Sequence, residues 1–227
     1  MKSSKGILLI IILGFFVFLI GCATLEKGGG ERVRLKEPRI KPLAESEWNA
    51  EQQKFLTPLR MPQLPQLGGR VLNVITTMAN NLKLTESFLP GMSYIAGKST
   101  LPPREREILI LRIGWHCRAE YEFGWHTFVG KSVGLTDEEV KRITEGPKAA
   151  GWDLFDATLL QAVDELYYDA FITDATWNAL AKRYNQEQLI DVVATVGEYN
   201  LISMMLNTFG VQFEDSTKMS GFPDRKR

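Results

Sequence analysis

Both histidines of the chain, one of its two cysteines and a close-set group of glutamates and arginines fall between Leu101 and Gly130, in the stretch LPPREREILILRIGWHCRAEYEFGWHTFVG. Glu122 and His126 are four residues apart, so on a helix they share a face. A carboxylate beside an imidazole is a candidate general acid/base pair, because a nearby charge can hold the imidazole proton near neutral pH. On spacing alone, the commoner outcome of an E-x3-H pair is a surface contact or a structural histidine. Glu107 reads here as an acid near a helix start, where it complements the helix dipole. His116, directly after Trp115, reads as structural.

These residues need helices to hold them. Pro102-Pro103 opens the stretch and suits a first helical turn, where a missing N–H costs nothing. Ile108, Leu109, Leu111, Arg112 and Ile113 follow as a buried helical run with one charge inside it. Gly114 weakens that helix, and a second segment carries Glu122 and His126. Tyr121, Phe123 and Trp125 flank the pair and restrict solvent.

Further helices surround this stretch. A short one runs from about Glu51 to Leu56, with Ser46 or Asn49 near its N-cap. The Pro-rich piece Thr57–Gly69 is not expected to be regular. Val71–Met78 and Leu84–Gly97 show helical spacing, the latter with a kink expected at Pro90-Gly91. Thr136 caps a short helix that ends by Gly146-Pro147. Asp153–Ala170 and a helix capped at Thr173-Asp174 follow. Asn185–Phe209 is the longest apolar segment, stopped by Gly210. Within it Glu198, Tyr199 and Asn200 interrupt the apolar pattern. A buried Glu198 must be paired, with Arg112 as the candidate partner, or it lines a pocket. No alternating strand pattern stands out, so the fold class is all-α, a multi-helix domain.

The chain has 227 residues and 44% hydrophobic content, enough for one domain with a sizeable core. Its formal charge is zero, and no basic cluster is interleaved with aromatics, so no nucleic-acid footprint appears. At the N-terminus, Lys2 and Lys5 precede an apolar run, Ile7 to Ile20. That run is shorter than the roughly 20 residues of a membrane span and suits a signal-peptide core. It ends in Leu19-Ile20-Gly21-Cys22, which resembles a bacterial lipobox. The expectation is a signal peptide over 1–21, lipid on Cys22, an extracytoplasmic domain and a membrane anchor, facing the periplasm from the outer membrane in a Gram-negative source. Removing residues 1–21 removes two lysines and no acid, leaving 25 basic against 27 acidic residues, a net charge of −2. With Cys22 assigned to lipid, Cys117 has no cysteine left to pair with. Residues 22–39 read as a flexible tether, 40–214 as the domain and 215–227 as a polar, disordered tail.

The central stretch, followed by VGLTDEEVKRI, DLFDATLLQAVDEL and LIDVVATVGEYNLISMMLNTFGV, resembles the carboxymuconolactone decarboxylase family, which includes alkylhydroperoxidase D-like proteins. The resemblance covers roughly residues 40–214. The peroxidase branch of that family uses a glutamate, a C-x2-C pair and a histidine four residues after the second cysteine. Glu107 and His126 match the glutamate and histidine, but Ala119 and Glu122 stand at the two cysteine positions. A dithiol peroxidase needs one thiolate to attack and a second thiol to resolve, and neither is present there. The decarboxylase branch carries E-x3-H instead, which Glu122 and His126 match. Cys117 lies two residues before Ala119, about 200° around a helix, and should face away from the site as a small buried residue.

The resemblance therefore implies catalytic residues Glu107, Glu122 and His126. The implied enzyme is a lyase of decarboxylase or lactone type acting on a small carboxylated or carbonyl substrate, with His126 moving the proton and Glu122 orienting it. A substrate with its own electron sink needs no cofactor, and no metal is expected. The family forms trimers or hexamers, so a homo-oligomer is implied. The alternatives are a peroxidase using Cys117 alone and a non-catalytic binding lipoprotein that kept only the fold.

Overall fold

One helix runs through the middle of the computed structural model, which describes residues 35–62, 68–214 and 222. This helix, α4 (Pro103–His116), is buried at every residue from Glu105 to Trp115. Ile108, Leu109, Ile110, Leu111 and Ile113 have no exposed surface at all. Each such side chain contributes about 1.5–3 kcal/mol relative to exposure. A helix buried on all sides must be surrounded, and α4 is packed by α5 (Glu120–Ser132), α6 (Asp137–Glu145), α7 (Leu154–Asp169) and α9 (Gln186–Phe209). The remaining helices are α1 (Ala50–Leu56), α2 (Asn73–Met78), α3 (Leu82–Gly97) and α8 (Asp174–Ala181). No strand occurs among the described residues, so the fold is all-α.

Local signals set most helix ends. Asn49, Thr136, Asp153, Thr173 and Asn185 each cap a helix by accepting a backbone N–H three residues on. Gly210 closes α9 in the left-handed conformation, at φ 71°. Helix α9 is 24 residues long with a mean hydropathy of 1.4, long and apolar enough to cross a bilayer. Half of that apolar window is buried inside the domain.

Several expectations are corrected. Helix α4 passes through Gly114 without interruption, and the break falls at Cys117–Ala119, where Arg118 takes a left-handed φ of 54°. Pro90 lies inside α3, which runs on as one element through the position where a kink is expected. Thr57–Leu59 forms a 3-10 turn inside the piece expected to be irregular. Packing begins before the tether boundary at 39. Arg39 N–H donates to Phe209 O at 2.8 Å, and Gln212 Nε2 donates to Leu35 O at 2.9 Å. The signal segment 1–21, Cys22 and residues 23–34 lie outside the described residues, as does the tail apart from Phe222. The Phe222 ring stacks on Trp115 at 4.6 Å.

Helix α2 has no side-chain cap of its own at Leu72. Glu214 supplies one from far along the chain. Its Oε1 accepts the Asn73 N–H at 2.8 Å and the Tyr121 hydroxyl at 2.8 Å. An anion is favourable at a helix N-terminus, where backbone N–H groups lack partners.

Candidate acid/base site

The turn at Arg118 folds α5 back against α4, the closest helix pairing in the molecule. Gly130 makes that approach possible. A β-carbon there would lie 2.8 Å from Leu135 Cδ1 and 3.6 Å from Glu107 Cβ. With α5 held this close, His126 reaches across to α4. Its Nδ1 is 2.6 Å from Glu107 Oε2, while its Nε2 is 3.0 Å from Glu122 Oε1 one turn earlier on α5. The imidazole is clamped between two carboxylates. The Glu107 side chain is 1% exposed, Glu122 5% and His126 16%. Arg106 Nε lies 3.4 Å from the other oxygen of Glu107.

Burial alone would push the His126 proton off. The charges and hydrogen bonds of Glu107 and Glu122 outweigh it and raise the pKa to about 10. The ring is therefore an imidazolium at neutral pH, with both N–H groups donating to carboxylates. The edge of Tyr199 meets it at 4.9 Å. The Tyr199 phenol is held protonated, first by burial and then by the negative charges of Glu122 and Glu107.

Glu122, His126 and Tyr199 lie on the wall of a cavity of about 570 Å³. Helices α2, α3, α5 and α9 and the segment Pro58–Met61 line it, and its surface is mainly apolar. Glu107 lies behind His126 and is not part of that wall. The three residues singled out in the sequence thus come together. Tyr121 and Trp125 line the cavity as expected, whereas Phe123 turns into the core against Trp115. Among the described residues, no group of three or more His, Cys, Asp or Glu side chains could hold a metal ion.

Cys117 is not in this cavity. Its Sγ meets Asn200 Oδ1 at 3.1 Å, and Asn207 Nδ2 donates to its carbonyl at 2.8 Å. The thiol does lie away from the pair, but through the break after α4 rather than by helical rotation. Arg112 does not pair with Glu198. Its Nε and Nη2 grip Asp164 at 2.7 and 2.8 Å, its Nη1 donates to Ile143 O, and His116 Nε2 approaches the same carboxylate at 2.6 Å. His116 is structural, as expected. Glu198 Oε1 is buried with no hydrogen-bond partner among the described residues, and burial raises its pKa. Spacing could not have found Tyr121 as the cavity's tie to Glu214, 93 residues away.

A carboxylate pair around an imidazole, reached from a cavity between packed helices, is an arrangement for proton transfer, and the domain carrying it has the alkylhydroperoxidase D-like fold of carboxymuconolactone decarboxylase-type proteins. The solved structures show how widely that fold is used. The debrominase Bmp8 in complex with 2,3,4-tribromopyrrole matches with a TM-score of 0.64 at 16% identity, over 80% of this chain and 94% of that one. An uncharacterized peroxidase-related protein from Silicibacter sp. TM1040 matches at 0.61 and 18%, over 82% and 93%. The alkylhydroperoxidase AhpD core from Ralstonia eutropha JMP134, also described as an uncharacterized peroxidase-related protein, matches at 0.64 and 15%, over 78% and 93%. No protein-family model matches the sequence, and none of the curated proteins compared with it does.

Proposed function

We propose that the chain is a cofactor-independent acid/base enzyme of decarboxylase or lactone type, acting at a carbon next to a carbonyl. The observation that carries this reading is the His126 imidazolium clamped by Glu107 and Glu122 on a cavity wall. Glu107, the more buried carboxylate and the closer to the ring, orients it and sustains its charge. Glu122, which faces the cavity, takes the proton from the substrate carbon. The C–H electron pair moves into the adjacent C–C bond and the carbonyl π pair moves onto oxygen; as Glu122 becomes protonated, the His126 Nε2–H it had accepted turns to stabilise that oxygen. In a decarboxylation, the C–C pair released with carbon dioxide follows the same route, and the acid returns a proton to carbon. A positioned general base or acid is worth about 10²–10⁴-fold in rate.

The test is deuterium wash-in. In D₂O the full-length protein should exchange the α-hydrogens of small ketones and lactones, and Glu122→Gln and His126→Gln should each lose at least about 10²-fold of that rate. Exchange unchanged in both variants would refute the reading.

The debrominase neighbour, solved with a small halogenated ring, supports a small-molecule cavity in this fold. The peroxidase-related neighbours keep a peroxidase alternative open at the level of fold, and Cys117→Ser decides whether any peroxide turnover depends on that thiol. We also propose lipid anchoring through Cys22, tested by Cys22→Ser and detergent partitioning. The further proposal is self-association, supported by Ile190, Val193 and Met204 standing exposed along α9. Light scattering on the Val193→Lys protein tests it, with a shift to monomer expected.

A further inference from the structure

The cavity beside His126 is furnished for one electrical class of substrate. Its walls are hydrocarbon and aromatic: Leu72, Ile75, Leu89, Met92, Trp125 and Ile202 are representative. Polar groups on the lining are few, and most are already committed. The Tyr121 hydroxyl is given to Glu214 at 2.8 Å. Among the described residues, Arg60 is the single lining residue that carries a fixed positive charge away from the imidazole. Its side chain is 41% exposed and paired with Glu45, itself 54% exposed. Glu122, His126 and the hydroxyls of Ser93 and Tyr199 remain.

Charge around that pair is balanced before any substrate arrives. Glu107 and Glu122 contribute two negative charges, and His126 and Arg106 contribute two positive ones, with Arg106 3.4 Å from Glu107. A carboxylate entering the cavity would find Glu122 and the His126 imidazolium cancelling each other on the wall, both imidazolium N–H groups already taken by Glu122 and Glu107, and the one lining guanidinium among the described residues, Arg60, engaged by Glu45. In so apolar a cavity it would lose its water without a free cation in exchange. A carbonyl or hydroxyl oxygen has no such penalty and can pair with the Tyr199 or Ser93 hydroxyl on the lining.

We propose that the cavity binds neutral, predominantly apolar carbonyl or hydroxyl compounds and discriminates against carboxylated ones. The proposal rests on the acid/base reading of the same residues, and within it selects carbonyl and lactone chemistry over decarboxylation, whose substrate would carry a carboxylate. The substrate is then supplied by a reaction that has already removed or masked any free carboxyl group, or that never introduced one.

The experiment compares two probes of equal size, 2-acetylnaphthalene and 2-naphthoate. Calorimetric titration into the full-length protein at pH 7 is read alongside the NMR signals of the His126 ring. The ketone should bind at least about tenfold more tightly than the carboxylate, and it should shift the His126 signals. Met92→Arg, which places a cation on the wall, should narrow or reverse that preference. Equal or tighter binding of naphthoate to the unmodified protein overturns the proposal, and so does failure of both probes to bind. Deuterium wash-in is scored separately. Exchange lost in Glu122→Gln together with naphthoate preference refutes the substrate class alone. Ketone preference with exchange unaffected by Glu122→Gln refutes the acid/base reading and leaves the selectivity standing.

Discussion

The molecule holds two histidine–carboxylate clusters built from nearly the same parts, one joining α4 to α7 and the other joining α4 to α5. At His116, a single carboxylate, Asp164, is shared by the imidazole and a bidentate Arg112, and the Tyr167 ring stacks over the histidine at 4.7 Å. At His126, one imidazole is shared by two carboxylates and faces a cavity. In the first, burial would raise the Asp164 pKa, but hydrogen bonds from His116 and Arg112 hold it below the ordinary value. In the second, the two carboxylates hold a proton on the histidine up to about pH 10. The donor-rich cluster locks α4 to α7. The acceptor-rich cluster keeps a proton next to open space. The ratio of donors to acceptors and the neighbouring cavity, more than residue type, separate a structural histidine from a candidate catalytic one.

The largest effect is expected from breaking the closed cluster. Arg112→Met leaves Asp164 buried with only His116, and should cost about 3–5 kcal/mol in chemical denaturation while leaving the His126 titration where it was. A cost near zero would show that the closed cluster is no lock.

The open cluster should dominate the alkaline pH dependence of stability. Because the folded pKa of His126 lies above 6.5, its contribution is fully present below about pH 6.5 and is lost as pH rises through about 10. Stability should fall across that window by at most about 1.4 kcal/mol per pH unit, and His126→Gln should flatten the fall. The same geometry makes His126→Ala costly. Removing the ring leaves Glu107 and Glu122 facing each other in a buried setting, so the variant should be clearly destabilised.

A smaller effect sharpens the comparison within the open cluster. Glu107→Gln should lower the His126 pKa by about 1–2 units in an NMR titration, and Glu122→Gln by less, because Glu107 is the closer and more buried partner. Equal shifts would remove the distinction drawn between the two carboxylates. Smallest of all, Cys117→Ser should change stability by under about 1 kcal/mol and leave the His126 signals in place, since its thiol meets Asn200 outside the cavity.

What the sequence disclosed follows the range of the interactions. Caps at Asn49, Thr136 and Thr173 and the stop at Gly210 are decided within four residues, and they were legible. So was the Glu122–His126 pair, because one helical turn brings the two side chains together. Glu107 was named through a family resemblance rather than spacing, since its contact crosses from α4 to α5. The partner of Arg112 was misassigned to Glu198. A sequence shows that a buried charge needs a partner but not which neighbouring helix turns a carboxylate towards it, and Asp164 lies 52 residues away. The α4–α5 break was placed at Gly114 because glycine weakens helices, whereas Arg118 adopts the left-handed turn without the residue type that usually marks one.

The Glu214 clasp bears on how the molecule is made. Its carboxylate closes on Asn73, 141 residues earlier, and on Tyr121, 93 residues earlier, and both partners sit at or beside the cavity wall. During synthesis, α2 and α5 leave the ribosome long before residue 214, at about 5–20 residues per second. The nascent chain can therefore pack α4 against α5, α6 and α7 early, but α4 is covered only when α9 emerges, and the cavity is clasped only when Glu214 follows. Binding competence should appear last in translation, once α9 and Glu214 have both emerged.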